Sequence, residues 1–494
     1  MKGSVVFCHG LESGPWGRKI RVLAEAARQA GYSVESPDFQ GMRDPAERIR
    51  KLLDVAHGMP KPLILAGSSM GGYVATIASA TLQPRGLFLL APAFYLPGYP
   101  DQDPRPEALH IEIVHAWGDR LVPAENSFRF ARTYGAELHY IEGTHRLTER
   151  IPFLESSFLL FLTRVQLMLR FAGCMAGQAL ADALGMWVEG SLPAESEAFV
   201  RDVIRAGKVE SLPAKIFPFG QYTDDTQLAR ELLQSLIERG QVDPEDFARR
   251  LVTLYREDGI VGIGTATRDA IRKLQKGIPW SQAGSPAPRA GNGAAMRAAP
   301  IGLAYRGKLK RLKEAAELQS HVTHLDPRSV AGAVAIATAV SLALEGNPIV
   351  PAAFCEGIAG TCESLDPVLA GALRRLPAWL DTDPKDAASI VGLTAFEDDG
   401  QGFRGIPGFV TGSVLWSLYC FLKYPDNYLD AVCTAISAGG DTDTTAAMTG
   451  AISGARLGLD AIPSDLVAFV NDRGKWTAGD LARLARKATL MEFE

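Results

Sequence analysis

The stretch Pro62-Leu63-Ile64-Leu65-Ala66-Gly67-Ser68-Ser69-Met70-Gly71-Gly72-Tyr73 decides the fold of the first third of this sequence. Its uninterrupted apolar start reads as a strand buried on both faces. Residues 73–80 are helical, so Ser69 stands in a G-x-S-x-G turn between a strand and a helix. Small flanking residues let the chain turn sharply there and present the Ser69 hydroxyl at the helix start, as a nucleophile requires. Working outward, residues 4–8, 86–90, 111–115 and 138–141 are further strand candidates, separated by helical stretches. That alternation predicts a parallel sheet with helices on both faces.

A serine nucleophile needs a base, and the base needs an orienting carboxylate, in the chain order Ser, acid, His for this kind of turn. Asp119 follows strand 111–115 and His145 follows strand 138–141, both on loops. His115 and His139 lie inside strand runs and read as core or edge residues, while His57 and His110 read as surface residues. After the first strand, Gly10 leaves the Leu11 amide able to join the Met70 amide as an oxyanion hole, with His9 in a structural role.

Beyond about residue 168 the β-rich runs give way to long Ala/Leu-rich periodic stretches such as 227–238, 244–256 and 330–344, which predict a nearly all-helical second domain. Domains at 1–165 and 166–494 are expected, joined without a Gly/Ser/Pro-rich linker; residues 283–295 read as a loop. The 494 residues suit two or three domains, with 47% hydrophobic and 22% charged residues in the ordinary globular range. A formal charge of -5 provides no broad positive field for nucleic acid or an anionic membrane. Six cysteines without a C-x-x-C pair predict reduced thiols and a cytoplasmic protein. The apolar run at residues 5–8 is too short for a signal-peptide core. The run at 330–344, interrupted by Thr338 and Ser341, reads as a buried helix because a membrane span needs about 20 residues.

Two clusters in the second half mix carboxylates with hydroxyls: Tyr222-Thr223-Asp224-Asp225-Thr226 and Gly439-Gly440-Asp441-Thr442-Asp443-Thr444-Thr445. Capping by Asp or Thr explains one such residue per helix and leaves the others over. Hard divalent cations take oxygen ligands of this kind. A calcium loop fails at Ala446 and Ile452, where Gly and Glu are needed. An aspartyl-phosphate motif would need a buried strand before Asp441, whereas residues 428–436 have helical spacing.

Two resemblances follow from these motifs. Ser69, Asp119 and His145, with the Gly10 turn, resemble the compact, lidless α/β-hydrolase esterases, which implies ester hydrolysis and leaves the acyl substrate open. The second half resembles the ADP-ribosylglycohydrolase family in five separated motifs: the helix from Gly173 to Gly185 leading to Glu189, Thr223-Asp224-Asp225, Gly291-Asn292-Gly293, Thr323-His324, and Asp441-Thr442-Asp443-Thr444. Ala181 stands where many relatives carry Gly.

The family resemblance implies that Thr223, Asp224, Asp225, Asp441, Asp443 and Thr444 hold two Mg²⁺ ions, and that Glu189 activates water or assists the leaving group. It also implies that Gly291, Asn292 and Gly293 bind ADP-ribose, with His324 either lining that pocket or sitting in the core. The expectation is a bifunctional hydrolase acting on an ADP-ribosylated protein or an ADP-ribose-containing small molecule, and on an ester. The alternative is an ADP-ribose-binding regulatory module attached to an esterase. It is disfavoured because a pure binder has no need of Glu189 and both metal segments.

Overall fold

The protein is described by a computed structural model covering residues 2–212, 217–257, 259–395 and 403–493. It divides into two compact units, Met1–Leu167 and Met168–Glu494, with the division inside one helix, α5 (Ile151–Gly185).

The N-terminal unit is built on six parallel strands: β1 (Ser4–Cys8), β2 (Ser33–Glu35), β3 (Leu63–Ser68), β4 (Gly86–Leu90), β5 (His110–Ala116) and β6 (Glu137–Ile141). Their order in the sheet is β2-β1-β3-β4-β5-β6. β3 lies between β1 and β4, paired as Val6↔Leu65 and Leu65↔Leu87, which is why it reads as one apolar run. Connections run through α1 (Arg18–Gln29), α2 (Pro45–Ala56), α3 (Met70–Leu82) and α4 (Ala124–Tyr134). Strand β2 was not expected. It is three residues long with Val34 as its one apolar residue, too short for alternation to register.

Among its described residues the C-terminal unit is helical apart from a two-stranded antiparallel ribbon, β7 (Asn471–Asp472) with β8 (Trp476–Thr477), which the periodicity did not signal. Its site rests on α6 (Asp224–Arg239), α7 (Pro327–Leu344), α8 (Val410–Lys423), α9 (Tyr428–Ser437) and α10 (Thr442–Leu457). The second part of α5 meets α10 almost backbone to backbone. A Cβ on Gly177 would lie 2.6 Å from the Gly450 carbonyl oxygen, and one on Gly173 would lie 2.5 Å from that of Gly454. Ala181 fills the next step, because a Cβ on Gly450 would stand 2.6 Å from that of Ala181.

Two helical stretches, Thr148–Val188 and Pro327–Leu344, are long and apolar enough to cross a membrane. The second is α7, buried along nearly its whole length and capped by Asp326, which accepts from the Arg328 amide. All six cysteines are free and buried. Burial raises each thiol, Cys8 to about 12.

Candidate active sites of the two units

In the N-terminal unit, β3 ends at Ser68 and α3 starts at Met70, leaving Ser69 with φ 54° and ψ -120°. That positive φ is strained for a residue with a side chain and is the price of a turn this sharp. The neighbours must be glycine: a Cβ on Gly71 would fall 2.0 Å from the Cys8 carbonyl oxygen, and one on Gly67 2.5 Å from that of Gly71. Ser69 Oγ lies 3.0 Å from His145 Nε2, and His145 Nδ1 lies 2.7 Å from Asp119 Oδ2. With a carboxylate opposite Nδ1, the ring carries its proton there and turns the Nε2 lone pair toward the serine.

Asp119 is held from several sides. Its Oδ1 accepts from the Leu121 and Val122 amides at 2.8 and 3.0 Å. Burial pushes this carboxyl upward, but the amide donors and His145 outweigh it and hold it below the usual carboxylate value. His115, expected as a core or edge residue, is buried at the end of β5 with Nε2 3.1 Å from Asp119 Oδ2. Its Nδ1 lies 2.7 Å from Ser127 Oγ, and Nε2 also faces the Val122 carbonyl oxygen, so Nε2 carries the proton. Burial lowers the His115 pKa, keeping the ring neutral as a second donor to the acid. The spacing His115-x-x-x-Asp119 was the available signal for this contact.

Met70 opens α3, where an amide has no intrahelical acceptor, and Leu11 is half exposed in the same cavity of about 580 Å³ as Ser69 and His145. His9 is buried and accepts from the Phe39 amide at 2.8 Å. The buried Arg48 of α2 was not singled out from sequence. It donates to the His9 carbonyl oxygen at 3.1 Å and fixes the turn that presents Leu11. His57 is exposed. His110 is not a surface residue: its side chain is 11% exposed, with Nε2 4.0 Å from the carboxylates of Glu112 and Glu137. His139 Nε2 stands 3.3 and 3.2 Å from the same two groups.

In the C-terminal unit, Thr223 caps α6 and Asp441 precedes α10, so both acidic segments sit at helix starts. Asp182 of α5, which the sequence reading did not place in the site, pins the first segment. Its carboxylate accepts from the Thr223 and Thr226 amides at 2.9 and 3.1 Å and from the Thr226 hydroxyl at 2.7 Å. Thr444 Oγ1 donates to Asp225 Oδ1 at 3.4 Å, bringing the two segments together. Glu189 follows the helical turn Met186–Val188, and its carboxylate oxygen falls within 4.8 Å of those of Asp441 and Asp443.

Gly291, Asn292 and Gly293 form a loop over this cluster. Asn292 Nδ2 donates to Asp441 Oδ2 at 2.6 Å and to Ser413 Oγ at 3.1 Å. His324 is buried beneath the loop, where a Cβ on Gly293 would stand 2.8 Å from its Cε1. Its Nδ1 lies 2.8 Å from Thr323 Oγ1, which accepts from Arg297 at 2.7 Å. Burial, aided by the Arg297 charge, pushes His324 down to about 3, so the ring is neutral and supports the loop from below.

The family model of ADP-ribosylglycohydrolases matches residues 163–493. The chain belongs to the ADP-ribosylglycohydrolase family. A second family model, for an uncharacterised protein family (UPF0227), matches residues 4–101. Human ADP-ribosylhydrolase ARH3 is 30% identical, over 60% of this chain and 87% of its own. An uncharacterised protein of Archaeoglobus fulgidus is 32% identical, over 62% of this chain and 92% of its own. A solved structure described as a hydrolase of the alpha/beta superfamily, from Xanthomonas campestris, is 33% identical, with a TM-score of 0.31, over 33% of this chain and 98% of that one. This member of the ADP-ribosylglycohydrolase family is a hydrolase, with a six-stranded parallel α/β fold in its N-terminal unit and the largely helical ADP-ribosylglycohydrolase region in its C-terminal unit.

The ADP-ribosylglycohydrolase unit also has the chemistry of a cation site. Burial and the neighbouring Asp443 push Asp225 far up, burial and Asp441 do the same to Asp443, and burial with Asp182 takes Asp224 to about 7. Asp225 Oδ2 is buried without a hydrogen-bond partner. Crowded carboxylates with an unused buried oxygen are costly alone and are compensated by a bound cation. An all-oxygen donor set suits a hard divalent ion.

Proposed function

We propose that the chain is a two-site hydrolase of the cytoplasm: the C-terminal unit removes ADP-ribose from a modified protein or small acceptor with two Mg²⁺ ions, and the N-terminal unit hydrolyses esters through Ser69. The observation that carries the first activity is the meeting of Glu189, Asp441 and Asp443 beside a buried, unpartnered oxygen of Asp225. Family membership and the relative named ADP-ribosylhydrolase ARH3 support the substrate class.

Thr223, Asp224, Asp225, Asp441, Asp443 and Thr444 would hold the ions, which supply charge stabilisation and orientation of the ribose hydroxyls when bound. The chain's own part is to bind and move protons. The Gly291 and Gly293 amides are suited to a diphosphate, while the Asn292 backbone amide donates to the Gly408 carbonyl oxygen and its side-chain amide fixes the Asp441 carboxylate. Burial and the Asp441 charge raise the Glu189 carboxyl, which suits it to take a proton from water or to give one to the departing acceptor.

At the other site, Ser69 gives its proton to His145 Nε2 as its oxygen attacks the ester carbonyl. The Leu11 and Met70 amides receive the developing oxyanion, and the proton on His145 passes to the leaving alcohol. Water then repeats the cycle on the acyl-enzyme. One compound could serve both sites, because an O-acyl-ADP-ribose or ester-linked ADP-ribosyl peptide carries both bonds.

The deciding experiment offers O-acetyl-ADP-ribose and ADP-ribosyl peptides to wild type, Ser69→Ala and Asp441→Asn proteins and follows each product. Loss of deacylation in Ser69→Ala and of ADP-ribose release in Asp441→Asn is expected. If Ser69→Ala processes every such compound at the wild-type rate, the esterase serves an unrelated substrate.

A further inference from the structure

The Ser69 cavity contains a lysine that the ester mechanism does not use. Lys19, in the first turn of α1, reaches under the G-x-S-x-G turn and donates from Nζ to Ser68 Oγ at 3.1 Å, one residue before the nucleophile. Arg18 and Arg146 line the same cavity, against a single carboxylate, Glu12. Among the described residues no carboxylate lies within 4.0 Å of any of the three cations. Buried Arg230 is paired with Asp472 at 2.9 Å, and buried Arg48 and Arg297, which lack a carboxylate, each donate to several oxygens, whereas Lys19 donates to one hydroxyl. Partial burial without a counter-ion costs an ammonium much of its hydration.

We propose that Lys19 is the anion-binding residue of the Ser69 site, selecting esters whose acyl or alcohol half carries a carboxylate or phosphate close to the scissile carbonyl. The proposal rests on the ester-hydrolase reading and adds the substrate class to it. Ser68 leaves Nζ two further protons to donate, and a charged acceptor is the partner that best offsets its desolvation. Burial brings the Lys19 ammonium down to about 8, against the opposing pull of Glu149 and Asp119, in keeping with a cation that lacks its anion. A cavity of about 580 Å³ has room for a ligand of nucleotide size.

The test uses the full chain and three esters: 4-nitrophenyl butyrate, neutral; 4-nitrophenyl hemisuccinate, charged on the acyl side; and O-acetyl-ADP-ribose, charged on the alcohol side. The wild type is expected to favour at least one charged ester. In Lys19→Met the charged-to-neutral ratio of kcat/KM should fall on the order of 10- to 100-fold, expressed in KM. Lys19→Arg should restore most of the preference. Which charged ester responds tells which half of the substrate carries the anion.

Protection of Ser69 from fluorophosphonate labelling by succinate or inorganic pyrophosphate, measured on the wild type, should weaken as ionic strength rises. That measurement keeps the proposal open to refutation if the Met variant folds poorly. A wild type with no charge preference and no anion protection, or a ratio unchanged in a folded Lys19→Met protein, would overturn it. Ester turnover that persists in Ser69→Ala would instead overturn the ester-hydrolase reading itself.

Discussion

Replacing Asp119 by Asn preserves the shape of the side chain and changes the character of the atom that faces two imidazoles. The oxygen that accepts from the Leu121 and Val122 amides can remain, but an NH₂ then takes the place of Oδ2 opposite His145 Nδ1 and His115 Nε2. His145 avoids the clash by moving its proton to Nε2, where it blocks acceptance of the Ser69 proton. A triad with the wrong tautomer loses about 10⁴ in kcat, or about 5.5 kcal/mol of transition-state stabilisation. Losing charge-assisted bonds at a buried acceptor should cost roughly 1.5–3 kcal/mol of stability, a few degrees to about 10 °C in the melting of this unit.

Because the Asp119 carboxyl sits below its ordinary value of 3.8, its stabilising contribution is present above that pH and is lost as pH falls through the folded-state value. The melting difference between wild type and variant should therefore narrow below about pH 4. Steady-state hydrolysis of 4-nitrophenyl acetate, the rate of fluorophosphonate labelling and calorimetry together make the assay. An Asp119→Asn protein that keeps more than about a tenth of the wild-type turnover would refute the tautomer argument.

The remaining predictions concern the C-terminal unit. Asp441→Asn, or excess chelator on the wild type, should abolish ADP-ribose release and leave ester turnover intact; full release in chelator would count against the metal reading. Asp182→Ala leaves the Thr223 and Thr226 amides without their acceptor and should weaken Mg²⁺ affinity about 10- to 100-fold by titration calorimetry, with unchanged affinity refuting its positioning role. Gly177→Leu cannot fit 2.6 Å from the Gly450 carbonyl and should cost more than about 3 kcal/mol in denaturant melts, whereas near-wild-type stability would mean the helices can separate freely.

The central strand, the sharp turn and the order of Ser69, Asp119 and His145 were legible because each is written in neighbouring residues: an apolar run, flanking glycines, loops after strands. Contacts that join distant elements were not. His115 has the sequence context of a strand residue, and only the curl of the 117–122 loop brings Asp119 back to its ring. Glu112, two residues on, shares a face of β5 with His110 and was a local signal, but Glu137 joins them only through the pairing of β5 with β6, which no local pattern shows. Asp182 did carry a signal, as a lone carboxylate in the apolar run 179–184 that has to find donors once buried. Glu189 could be picked out by resemblance alone, since its closeness to Asp441 and Asp443 spans some 250 residues of chain.

The six buried thiols provide a clock for opening. A buried thiol with a raised pKa reacts with an alkylating reagent when the fold around it opens, so the rate of each adduct reports local exposure. Cys8 lies in β1, whereas Cys174, Cys355, Cys362, Cys420 and Cys433 all belong to the other unit. Pulsed alkylation followed by peptide mass spectrometry would time the breathing of each half separately in the unmutated protein, and a ligand specific to one half should slow only the adducts of that half.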